Sequence, residues 1–150
     1  MVLPTVSCNV PRPIVLDTNV LIAGLWSREG ASFQVLEGVR AGWLQPVLSV
    51  PLVLEYEMVL QRQAGELGLR AGDVDRILDS LCALGTHHQI HFLWRPSLRD
   101  PRDEMVLELA VAAGCPELVT FNVRDFEGAE RLGVWPILPG ALLQRVRQER

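Results

Sequence analysis

A chain of 150 residues that is 49% hydrophobic can bury a sizeable single core, and 12 Gly with 10 Pro are too few for a disordered or fibrous protein. Its formal net charge of -4 argues against coating nucleic acid through overall positive charge, although all 14 basic side chains are Arg, whose planar fork can grip phosphate. Cys8, Cys82 and Cys115 are odd in number and far apart, unlike a disulfide framework or a zinc site, and no stretch reaches the roughly 18 apolar residues of a membrane span. Reduced thiols and a cytoplasmic location are the expectation.

Met1 to Pro13 carry three prolines and no basic start before an apolar block, so residues 1–13 read as a loose leader and not as a signal peptide. Ile14-Val15-Leu16 is an apolar run that stops at Asp17, and Val20 to Leu25 suits a short helix, so Asp17 stands where strand hands over to helix. In an open α/β sheet that edge is where ligands bind; an Asp or Thr there can equally cap the helix. Ser27 to Gly30 reads as a turn, and Ala31 to Ala41 as a helix with Phe33, Leu36 and Val39 inward, closed by Gly42. Pro46 to Ser49 is a strand candidate, and Ser49 followed by Pro51 signals a helix start that runs to about Gln63, with Gly65 and Gly68 marking a loop.

Asp73 to Leu84 carries Val74, Ile77, Leu78 and Leu81 on one helical face and ends at Gly85, and Gln89 to Leu93 is a plausible strand. Arg95 to Arg102 is a polar loop leading into a helix from about Pro101 to Ala113, with a stop at Gly114. Glu117 to Thr120 and Trp135 to Leu138 are short strands, and a helix closes the chain. Strands alternating with helical patterns predict right-handed βαβ units, hence an α/β fold with a mainly parallel sheet covered on both faces, in one domain over residues 1–150.

Some acids fall where a core should be. On a helical wheel after Ser49, Glu55 lies between Leu52 and Val59 on one side and Met58 on the other, while Glu57 points away. A carboxylate in an apolar arc is costly unless it is paired or holds a cation. On the helix after Pro101, Asp103 shares the stripe of Val106, Leu107 and Ala110, with Glu104 and Glu108 turned outward, and Asp100 has the position of an N-cap. Asn122 and Asp125 follow the strand ending near Thr120, at the same sheet edge as Asp17. Acidic and amide oxygens from separate segments suit Mg²⁺ or Mn²⁺ better than Zn²⁺. His87, His88 and His91 have no Cys or acid at ligand spacing and read as surface or strand-edge residues.

Leu16-Asp17-Thr18-Asn19-Val20 resembles the opening motif of the PIN-domain family, and Ser49 to Tyr56 its glutamate-bearing second motif. Arg99-Asp100-Pro101-Arg102-Asp103 is similar to the third and Val119-Thr120-Phe121-Asn122 to the fourth. The resemblance implies a three-layer α/β/α sandwich around a parallel sheet of four or five strands, with metal-dependent endoribonuclease activity. Within the family the sequence looks most like VapC-like toxins of prokaryotic toxin-antitoxin pairs. By matching positions, Asp17, Glu55 and Asp103 take the metal-binding role, with Asn122 at the place where many members carry a fourth acid and Asp125 as its alternative. Thr18, Asn19, Asp100, Thr120 and, where Asn122 is the fourth ligand, Asp125 are supporting candidates, and Arg99, Arg102 and Arg124 are candidates for contact with the RNA backbone. The expected partners are an RNA substrate, a cognate antitoxin and a second copy, with Trp26 and Trp43 as exposed-looking apolar residues for such contacts, Trp43 equally suiting the core, and no membrane. The alternative is a weak or inactive PIN fold that binds RNA or a protein.

Overall fold

The side chains of the first strand divide the core in two. In the computed structural model, which describes residues 10–90 and 101–149, that strand is β1, Arg12–Leu16. Ile14 and Leu16 point to one side, into a cluster with Val35, Val39, Leu142 and Val146, while Val15 points to the other, among Leu52, Tyr56, Leu78 and Leu107. That period-two alternation of wholly apolar residues is what a parallel strand covered on both faces requires.

The chain then runs through α1, Thr18–Trp26, and α2, Ala31–Ala41, to β2, Leu44–Leu48. It continues as α3, Val50–Leu67; α4, Asp73–Leu84; β3, Thr86–His87; α5, Pro101–Ala112; β4, Glu117–Val119; two short 3-10 turns; β5, Trp135–Ile137; and α6, Pro139–Glu149. All strand pairs are parallel, in the order β3-β2-β1-β4-β5, with Ile14 beside Pro46 and Leu16 beside Val119. Helices α2 and α6 cover one face and α3, α4 and α5 the other. This is the expected three-layer α/β/α sandwich, with five strands.

β1 is the central strand, and the chain leaves it toward β2 on one side and β4 on the other, so the topological switch point lies between the carboxyl ends of β1 and β4. Asp17 and Thr120 follow those two ends directly.

Several boundaries differ from the sequence expectation. β1 begins at Arg12, so the last two residues assigned to the leader pair in the sheet. α3 runs through Gly65 and ends at Gly68, whose φ of 71° is the left-handed cap that glycine adopts freely. The third strand is Thr86–His87 and not Gln89 to Leu93, of which residues 91–93 lie outside the described residues. The cause is close approach: a Cβ on Gly85 would stand 2.6 Å from the Pro46 carbonyl oxygen, so the chain meets β2 as soon as α4 ends, and His88 N continues the ladder to Leu48 O. Among the described residues no helix is long and apolar enough to cross a membrane.

Candidate active site

Asp17 is the N-cap residue of α1, but its side chain does more than cap. Oδ1 accepts from Thr18 N at 2.9 Å, and Oδ2 accepts from the Thr120 hydroxyl at 2.7 Å, across the switch point. Thr120 Oγ1 in turn accepts from Asn122 N at 3.0 Å, which fixes the loop after β4. Only 7% of Asp17 is exposed, and burial pushes its carboxyl above the ordinary range; the bonds from Thr120 and Thr18 pull it down, and the charges of Glu55 and Asp125 push it up again.

Glu55 reaches the same point from α3. Ser49 caps this helix, its Oγ accepting from Leu52 N, and Pro51 stands in the first turn as the sequence predicts. One turn further, Glu55 Oε2 accepts from the Thr18 hydroxyl at 2.8 Å. The neighbouring Tyr56 is wholly buried and donates its hydroxyl to Leu16 O at 2.5 Å, tying α3 to the end of β1. Burial, followed by the charges of Asp17 and Glu55, holds the phenol well above its usual range, so it remains a neutral donor. Met58, placed by the wheel on the apolar arc, is exposed.

Asp17, Glu55, Asp103, Asn122 and Asp125 all line one cavity of about 980 Å³, together with Thr18, Asn19 and Arg102. Asp125 lies within the 3-10 turn Val123–Phe126, whose N-cap is Asn122. Arg124 is exposed and outside the cavity, while Arg62, two turns beyond Glu55 on α3, lines it. The i, i+7 spacing puts Arg62 on the face of Glu55, a signal present in the sequence. Trp26, Phe121 and Leu138 bring exposed apolar surface to the walls. Trp43 is partly buried and packs against the core beside Gly38, the second of the two places that the sequence allowed it. Arg99 and Asp100 lie outside the described residues.

The outward placement of Glu104 and Glu108 fails. Both are buried, because α5 is enclosed by α3, the sheet and a 3-10 turn, and a wheel assumes a single covered face. His87 and His88 bond locally, to Cys82 O and to the Thr86 hydroxyl. Cys82 and Cys115 are free thiols.

Residues 13–124 match the family model for the PIN domain. The chain belongs to the PIN-domain family. The matched span runs from β1 into the 3-10 turn that holds Asp125. PIN domains are in general nucleases, and PIN nucleases typically use divalent metal ions. A search of curated proteins finds no match to the chain.

As the side chains of this PIN domain stand, no three His, Cys, Asp or Glu among the described residues form a group that could hold a metal ion. The donor chemistry fits a hard cation all the same. The cavity's acids offer only oxygen, the Glu55 and Asp125 charges bear on Asp17, and Asn19 Oδ1, in the cavity wall, is buried without a hydrogen-bond partner among the described residues.

Proposed function

We propose that this PIN domain is a Mg²⁺- or Mn²⁺-dependent endoribonuclease, and the observation that carries the reading is Asp17. A carboxylate at the switch point of the sheet, held by two donors and raised by burial first and by neighbouring acids after it, is an expensive arrangement that a cation relieves. Asp17, Glu55 and Asp103 would hold the ion, with Asn122 as the fourth residue at the site and Asp125 supporting it. A bound divalent ion supplies a more acidic water and neutralises the charge that develops on the phosphodiester.

The chain's own groups set the geometry. The Thr120 and Thr18 hydroxyls fix the Asp17 and Glu55 carboxylates, and Glu55, at the cavity side of α3, orients the attacking water. Arg62 and Arg102 provide positive charge in the walls. The toxin role, the cognate antitoxin and the homodimer rest on the resemblance of the four motifs to VapC-like toxins.

The test is cleavage of single-stranded RNA with Mn²⁺ or Mg²⁺ and its loss in excess chelator. Asp17→Asn should slow cleavage more than about a hundredfold, beyond what the outer partners of a metal site cost, with an unchanged circular dichroism spectrum. Undiminished cleavage in that variant or in chelator rejects the mechanism. RNA binding without cleavage by the wild type favours the binding module.

A further inference from the structure

We propose that the adjoining N-termini of α2 and α6 form a phosphate subsite in the wall of the active-site cavity. Each helix is 11 residues long, and each begins at that wall: Gly30, Ala31 and Ser32 from one, Pro139, Gly140 and Ala141 from the other. A Cβ built on Gly140 would lie 4.0 Å from that of Ala31, so the two starts are neighbours.

The first N–H groups of a helix have no intrahelical partner and carry partial positive charge. The first backbone bonds here are Gln34 N to Gly30 O and Leu142 N to Leu138 O, which leave the N–H groups of Ala31, Ser32, Gly140 and Ala141 as donors. Neither helix has an acid in its first turn, and the N-cap of α2, Gly30, has no side chain to accept from them. Two positive helix ends with no acid in either first turn therefore meet at one wall.

A separate observation points to a ligand there. Ser32 is 4% exposed, lines the cavity, and its Oγ has no hydrogen-bond partner among the described residues. Buried hydroxyls ordinarily have one, and an oxyanion seated on these helix starts would supply it.

The position separates this subsite from the carboxylates. Thr18, Asn19, Ile22, Ala23 and Trp26 of α1 line the cavity, so α1 runs along it from the acids outward. Ser32 packs against Gly24, where a Cβ would stand 3.0 Å from Ser32 O, six residues and so about 9 Å along α1 from Thr18. That is too far for the phosphate being cleaved and suits a neighbouring phosphate of the same strand. The identity of the anion rests on the nuclease reading; the anion site itself does not.

Titration of ¹⁵N-labelled protein with inorganic phosphate tests the site alone. The amides of Ala31, Ser32, Gly140 and Ala141 should shift together on one saturation curve in the wild type, and not in Ala141→Asp, whose acid occupies the positive end. Ala141 is exposed and an acid in a first helical turn is stabilising, so this variant folds. Ala141→Asp and Ser32→Ala should each bind a short single-stranded RNA in excess chelator about tenfold more weakly, the worth of one charge-assisted hydrogen bond. A methylphosphonate replacing one backbone phosphate beside the cleaved bond should cost the wild type the same factor and Ala141→Asp little more. Absent phosphate shifts in the wild type, or RNA bound equally by the wild type and both variants, overturns the subsite. Phosphate shifts at these amides in a protein that neither binds nor cleaves RNA uphold the anion site and remove the nuclease reading instead.

Discussion

A capping Asp ordinarily accepts from the second or third N–H of its helix, whereas Asp17 bonds the adjacent Thr18 N and turns its other oxygen to a hydroxyl from a different strand end. Its raised carboxyl, due to burial first and to Glu55 and Asp125 after the opposing hydrogen bonds, has a cost for folding. A folded-state value above the ordinary 3.8 means that the protonated acid favours the fold, a contribution complete below 3.8 and lost as pH rises through the folded value. Ionised Asp17 is thus a liability at neutral pH. Asp17→Asn keeps an acceptor for Thr18 N, and its amide can donate to Thr120 Oγ1, which has a second lone pair beside the one taken by Asn122 N. In chelator at neutral pH this variant should melt above the wild type, and the gap should close as pH falls to 3.8. A lower melting temperature at neutral pH would show that the Thr120 bond outweighs the burial of charge.

At the scale of elements, two glycines of similar helical setting predict opposite effects. Gly65 lies inside α3 with nothing within 4 Å of the place an added methyl would take, so Gly65→Ala should stabilise by about 1 kcal/mol through propensity alone. Gly24 is where α1 meets α2: an added Cβ would stand 2.5 Å from Leu36 Cδ1 and 3.0 Å from a backbone oxygen. Gly24→Ala should cost about 1–3 kcal/mol, because the helices must part. Urea denaturation of both variants measures the contrast, and equal midpoints would contradict this packing account. Two helix spans were legible: α2 and α4 have the bounds that spacing and glycine stops predict. β3 was not, because where α4 meets β2 is fixed by contact and not by strand propensity.

Across the whole molecule, Glu117 joins parts of the chain that are distant in sequence. Buried at the start of β4, it accepts from Arg12 Nε at 2.5 Å and from Arg145 Nη1 at 3.0 Å, while Arg12 also pairs with Glu149. The Glu117 hydrogen bond is the chief reason that the Arg12 guanidinium is raised above its usual range. This network pins α6 to β1 and β4 at the sheet edge opposite the candidate site. Glu117→Ala should cost about 2 kcal/mol in chemical denaturation, less than the roughly 3–5 of a fully buried pair because Arg145 is 47% exposed and can rehydrate. Arg145→Ala should cost under about 1 kcal/mol. A Glu117 variant as stable as the wild type would mean that Arg12 finds its full compensation in Glu149.

Legible in the residues were the α/β alternation, the acid at the end of the first strand, and the separate segments that bring Glu55, Asp103, Asn122 and Asp125 to one cavity. Each of these is written in local patterns: an apolar run cut by an acid, a Ser-x-Pro helix start, an acid on an apolar helical face. Only long-range packing buries Glu104 and Glu108, leaves Arg124 outside the cavity and brings two helix starts together beside Ser32. Periodicity assigns a helix one inner face and is blind to what encloses the others. Helix termini from residues 30 and 140 become one surface only when α2 and α6 pack on the same face of the sheet, through long-range burial that no local window contains.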